Sequence, residues 1–257
     1  MTEAEWLACE DPTPMLVYLR GCRVPGRSEV VPGDGPAVRC GGRKIALFVA
    51  AVCQRVRHSP INEPTRQGIA WLQRYTAEEV TLPDLLRLLE EVRREDERGW
   101  HRPYFPFYHA RVDEPQAAHF IATATAVVTA WTLAQEAIQR DDPVEFEQLG
   151  DNWRRHQRSE AGWRQAYRQI ETHQASLLRD IVGNPSRPAT ADPSWLTSNV
   201  VTFAKGIYAD QAFGRLPILA DALHDAGCEN ADILDHCRGP GPHACGCWVV
   251  DLVLGKG

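Results

Sequence analysis

Thr81-Leu82-Pro83-Asp84-Leu85-Leu86-Arg87-Leu88-Leu89-Glu90-Glu91-Val92 carries a helix start and an apolar stripe in one run. Thr81 and Asp84 flank a proline, which suits a first turn: short side-chain oxygens satisfy free amides, and proline has none to satisfy. Leu82, Leu85, Leu86, Leu88, Leu89 and Val92 then form the apolar face of an α-helix. The charge run from Glu90 to Arg98 extends it as a solvated face.

The same grammar recurs on both sides. Upstream, Lys44 to Arg57 is apolar at Ile45, Leu47, Phe48, Ala51, Val52 and Val56, and its basic end complements the helix dipole. A helix from about Glu63 to Tyr75 follows. Thr2 with Glu5 reads as a capping box opening a short helix through Leu7, and Asp11-Pro12-Thr13-Pro14 restarts the chain into another, which Gly21 ends. Cys22 to Gly42 is rich in Gly, Pro and Val and reads as an exposed, flexible loop.

Downstream, Gly99 to His109 cannot be regular helix, and Glu114-Pro115 then starts a long helix to about Arg140. Asp142-Pro143 starts a longer one to Val182, with Gly150 and Gly162 as points of a break or a close crossing, until Gly183-Asn184-Pro185 stops it. The final block holds short helices begun at Asp192-Pro193 and Thr197, at Arg215 and at Asn230, before the Gly239-Pro240-Gly241-Pro242 turn. Trp248 to Leu254 is apolar except for Asp251 and suits helix or strand. The expectation is an all-α, irregular multi-helix bundle with two long central helices and a compact C-terminal helical subdomain. Its regions are 1–110 with the flexible loop 22–42, a helical hairpin over 111–185, and the block 186–257, together one continuous globular unit.

Composition bounds the function. A chain of 257 residues, 44% hydrophobic and 24% charged, buries a real core. A formal charge of −6 argues against general polyanion binding. The acidic N-terminus lacks the features of a signal peptide, and Phe120 to Leu133 is too short to span a bilayer, so a cytoplasmic protein without membrane contact is expected. Four cysteines lie in the first 53 residues (Cys9, Cys22, Cys40, Cys53), four lie between Cys228 and Cys247, and none lies between the groups. That is not a secreted disulfide framework, so reduced thiols are expected, with Cys9 and Cys53 as packing residues.

Three constellations bear on chemistry. Cys237, His243, Cys245 and Cys247, with His236 as an alternative to Cys237, supply the soft and borderline donors zinc takes, although no paired C-x₂-C spacing is present. His243, Cys247 and Asp251 are also the residue types of an activated thiol. Trp100, Tyr104, Phe105, Phe107 and Tyr108 crowd one loop and are the partner-binding candidates, since aromatics dominate interface hot spots. Arg154, Arg155, His156, Arg158, Arg164 and Arg168, interleaved with Trp153, Trp163 and Tyr167, would suit nucleic acid, but Asp151, Glu160 and Glu171 dilute the field and a solvated helix face explains them better. Phosphate-loop, dinucleotide, zinc-protease and nucleophile-elbow motifs are missing from the sequence.

Two stretches carry a resemblance: the opening Met1-Thr2-Glu3-Ala4-Glu5-Trp6-Leu7-Ala8-Cys9, and the ending Leu216-Pro217-Ile218-Leu219-Ala220-Asp221-Ala222-Leu223, Arg238-Gly239-Pro240-Gly241-Pro242-His243 and Gly246-Cys247-Trp248-Val249-Val250-Asp251-Leu252. Together they resemble an uncharacterised, bacterial (planctomycetal) family with many paralogues per genome, loosely over the first fifty-odd residues and closely over the last seventy. The resemblance brings no activity or catalytic residue. His243 and Cys247 match its pattern, whereas Cys245 stands where members tend to be basic and Cys237 is not constant, which implies a C-x-C pair particular to this chain. The 22–42 loop is longer than is usual in that family. Fixed ends around a variable middle imply a scaffold that presents different surfaces. The expected function is therefore a non-catalytic helical interaction or adaptor module for a protein partner, with homodimerisation compatible with its long helices and no cofactor assigned. The alternative is a metal- or thiol-dependent protein using the C-terminal His/Cys cluster, with zinc as the metal.

Overall fold

The computed structural model describes residues 1–20, 42–54, 63–98 and 152–256, and ten α-helices lie among them with no strand. They are α1 (Glu3–Ala8), α2 (Pro12–Arg20), α3 (Gly42–Cys53), α4 (Glu63–Thr76), α5 (Leu82–Arg98), α6 (Asn152–Val182), α7 (Ser198–Asp210), α8 (Leu216–Asp225), α9 (Ala231–Arg238) and α10 (Trp248–Leu254). The protein is all-α. The helix expected from Glu114 to Arg140, the flexible loop over 22–41 and the Asp142-Pro143 start lie outside the described residues, as does the whole Trp100–Tyr108 partner-binding set. Among the described residues, no helix is long and apolar enough to cross a membrane.

Local signals place the helix starts. Thr2 and Glu5 exchange both hydrogen bonds of the capping box, at 2.7 and 3.2 Å. Thr197 and Asn230 each accept from the amide of the third residue of α7 and α9, Val200 and Ile233. Asp192 opens a short 3₁₀ turn, Pro193–Trp195, before Thr197 starts the α-helix proper. The two start signals in that segment therefore serve two elements, not one. Trp248–Leu254 resolves as helix, and α6 runs through Gly162 unbroken.

The core is built around α3, which buries Ile45, Ala46, Leu47, Phe48, Val49, Ala50, Val52 and Cys53. Burial on this scale is worth roughly 1.5–3 kcal/mol for each large side chain, which is why a helix this short holds. It packs on α4 and α6, α2 lies along α6, and α4 pairs with α5. In the C-terminal block α7 packs on α8 and α10, and α8 on α9. The end of α6, through Leu177, Leu178 and Ile181, joins that block to the N-terminal helices in one continuous core.

Trp6 anchors the first helix to this junction. Its indole is fully buried, and Nε1–H donates to the carbonyl of Gly183 at 3.0 Å. Arg179 adds donors to the carbonyls of Trp6 (3.3 Å) and Cys9 (2.7 Å). Trp6→Phe keeps an aromatic ring but loses the N–H and the volume of the pyrrole ring, so we expect a loss of about 2 kcal/mol or more in urea unfolding with helical content unchanged. A variant as stable as the parent would show that water reaches Gly183.

Candidate metal centre

Four segments deliver one polar cluster. Asp180 comes from the last turn of α6, His236 from the last turn of α9, His243 from the loop after the Gly-Pro turn, and Cys247 from the residue preceding α10. Their donor atoms all lie within 4.8 Å of one another, so Asp180, His236, His243 and Cys247 form a group able to hold a metal ion. Asp180 Oδ1 sits 2.7 Å from His243 Nδ1 and 3.1 Å from His236 Nε2. His236 Nε2 is in turn 3.3 Å from Cys247 Sγ.

The supports around the cluster are specific. Asp180 Oδ2 accepts from the amide of Ala244 at 2.9 Å, which leaves Oδ1 for the cluster. His243 turns Nδ1 inward while Nε2 faces the carbonyl of Gly239 at 3.4 Å, the outer contact that fixes a ligating imidazole. The ring of His236 lies against Trp248, centroids 5.1 Å apart. Trp248 in turn sits on Gly183, where a Cβ would fall 3.2 Å from the indole at a backbone φ of +78°, so glycine there both ends α6 and admits the ring.

The charges reinforce one another. Burial works to raise the Asp180 carboxyl, but the hydrogen bonds and charges of His236 and His243 outweigh it and hold the group below its ordinary range. For His243 burial opposes protonation, and the bond to Asp180 outweighs it, so this imidazole is raised. Cys247 is fully buried, and burial, then the Asp180 charge, push its thiol well above its ordinary value, against a smaller pull from the Val249 and Val250 amides. Such a thiol is no free nucleophile at neutral pH.

The sequence-derived set divides. His243 and Cys247 belong to the cluster, while Cys237 and Cys245 are not part of it. Neighbouring residues on a helix point about 100° apart, so with His236 facing the cluster Cys237 turns into the core, its thiol pushed up to about 12 chiefly by burial. Cys245 lies across Gly246 from Cys247, its Sγ donating to the Thr76 carbonyl at 3.5 Å. The glycine holds a φ of +93°, with Leu47 only 2.7 Å from where a Cβ would be, and this turn sends the two thiols to opposite sides. Of the N-terminal thiols, the two among the described residues join neither: Cys9 Sγ donates to the carbonyl of Asp11 at 3.1 Å, and Cys53 is buried in α3.

The thiol-nucleophile trio does not assemble. Asp251 is bound to Arg43 and Lys44, not to His243. The imidazole nearest Cys247 presents the same nitrogen, Nε2, to both the thiol and Asp180, so no proton relay crosses its ring. Asp180 was missed because it lies 56 residues upstream of His236. The available signal was a lone acid in the apolar last turn Leu177-Leu178-Arg179-Asp180-Ile181-Val182. In the Arg-rich segment, Arg164 and Arg168 are exposed one turn apart on α6. The side chains of 152–163 lie outside the described residues. Comparison with protein-family models, with curated proteins and with solved structures finds no match.

Proposed function

We propose that this protein is a zinc-class metal-binding scaffold, in which one ion held by Asp180, His236, His243 and Cys247 staples the C-terminal block to α6. The observation that carries this reading is the convergence of four metal-competent donors, from four segments, to within 4.8 Å. Their chemistry suits zinc, which takes imidazole nitrogen, thiolate sulfur and carboxylate oxygen. Tetrahedral zinc at ordinary bond lengths sets ligand atoms roughly 3.3–3.6 Å apart. His236 and Cys247 already stand at that spacing, while the His–Asp pairs, at 3.1 and 2.7 Å, sit at hydrogen-bonding distance and would open by up to about 0.6 Å to admit the ion. A dication would also give the buried Cys247 thiol a reason to ionise.

A staple of this kind supports a non-catalytic, partner-presenting role better than a catalytic one, because all four donors come from the protein. The six unbridged thiols among the described residues support a reducing, cytoplasmic setting. The test is a cobalt(II) titration of chelator-treated, tag-free protein. We expect one equivalent to bring in a near-ultraviolet thiolate-to-metal band and strong visible bands, both removed by zinc and the first absent in Cys247→Ser. With zinc a thousandfold above its Kd, the melting temperature should rise by roughly 10 °C, from about 4 kcal/mol of linkage. A featureless spectrum with an unmoved melt would overturn the reading.

A further inference from the structure

The metal cluster is buried on one side and open on the other. Cys247 is fully buried and does not line the adjoining cleft of about 360 Å³, which Asp180, His236 and His243 all line. That volume lies at the small end of ligand pockets. Its apolar walls include Trp248, Pro242 and Leu7, the last 52% exposed and one of the large apolar side chains left in solvent.

The charged groups of the cleft are not equally engaged. Arg187 is held by Glu3 at 2.5 Å and Asp232 at 3.5 Å. Arg179, on the same wall, donates to the carbonyls of Trp6 and Cys9 and to Ser176 Oγ. Those bonds leave part of its five-donor fork unused, and among the described residues no carboxylate lies within ion-pair distance of it. Burial disfavours its charge. With a dication in the cluster, the Asp180 carboxylate and Cys247 thiolate would neutralise the ion, and Arg179 would stand beside it as a cation with no carboxylate at ion-pair distance among the described residues.

We propose that this cleft binds a small oxyanion, one oxygen reaching the ion that Asp180, His236, His243 and Cys247 would hold and another bonding Arg179. This rests on the metal reading above. Zinc sites with an open side can expand from four to five ligands, and a guanidinium is well suited to a small anion's oxygens. Asp180, His236 and His243 all line the cleft, so an anion within it would meet the ion from that side.

The test uses the full-length, cobalt-loaded protein with acetate and inorganic phosphate as probes. We expect the visible bands to weaken and shift saturably with anion while the near-ultraviolet thiolate band stays, which reports a fifth ligand without loss of Cys247. Arg179→Met should weaken anion binding at least tenfold. Because Arg179 also holds the α1 carbonyls, Leu7→Glu is the second variant: it places a like charge at the cleft mouth on an exposed residue and should weaken binding at least threefold with the melt unchanged. Visible bands that ignore both anions, with the thiolate band present, would overturn the inference and leave the metal reading intact. So would anion binding indifferent to both variants. A spectrum with no thiolate band would remove both.

Discussion

Asp251→Asn is expected to destabilise the fold by about 3 kcal/mol, a large share of the 5–15 kcal/mol that holds an ordinary domain together. Asp251 is 1% exposed, and it is the one polar side chain in the otherwise apolar α10. Arg43 grips it with two nitrogens, at 2.6 and 3.3 Å, and Lys44 reaches the same carboxylate at 2.6 Å. Arg43 also donates to the carbonyl of Lys256 and the hydroxyl of Tyr208, and Lys44 to the carbonyl of Gly246. Burial works against the Arg43 charge, and the bonds and field of Asp251 more than reverse it, so the guanidinium stands above its ordinary range. Asparagine keeps the shape and removes the charge, leaving two cations facing each other in a half-buried space. Arg43 is 30% exposed, and that access to water keeps the loss at the lower end of what breaking a buried pair costs. Lys44→Met should cost less, because Arg43 still pairs the carboxylate. Urea unfolding with an unchanged m-value measures both. If Asp251→Asn costs no more than Lys44→Met, the cluster is not an electrostatic knot.

This anchor also ties α3 to the turn that delivers Cys247, since Lys44 holds both Asp251 and the carbonyl of Gly246. The helices at either end of that link were legible in sequence. Thr81 with its leucines, the Thr2–Glu5 box, Asn230 and the Gly183 stop are local signals, and local hydrogen bonds read them out. Which residues meet across the chain was not legible. The contact of Asp180 with His236 and His243 spans some sixty positions, and nothing local says that the end of α6 lies beside the Gly-Pro turn. The cysteine spacing misled for a geometric reason: C-x-C looks like a chelating pair until the glycine between is seen in a left-handed turn, which sends Cys245 to Thr76 and Cys247 to His236. Likewise His236 and Cys237 compete for one direction on α9, and sequence alone cannot say which wins.

Asp180→Asn is expected to have the second large effect, and its pH dependence separates the two roles of this carboxylate. In the metal-free protein Asp180 takes bonds from His236, His243 and Ala244, so the amide loses about 3 kcal/mol and leaves donors facing its NH₂. The Asp180 carboxyl is held below its ordinary 3.8, so its contribution is present above that value and is lost as pH falls through the folded value. The His243 imidazole is held above its ordinary 6.5, so its contribution is complete below 6.5 and is lost as pH rises through the folded value. Metal-free protein should therefore be most stable in the weakly acid range between those limits and weaken towards pH 8. Metal inverts the alkaline arm, because protons on His243 and Cys247 compete with the ion and their removal favours binding. Urea midpoints at pH 5, 6 and 8, with chelator and with excess zinc, should thus hold from pH 5 to 6 and fall by pH 8 in the first series, and rise in the second. Asp180→Asn should flatten the first and abolish the second, with zinc affinity reduced on the order of 100-fold or more. If the metal-free variant keeps the parent's decline from pH 6 to 8, the His243 charge is not held by Asp180. If zinc still restores the variant's alkaline stability, the ion sits elsewhere.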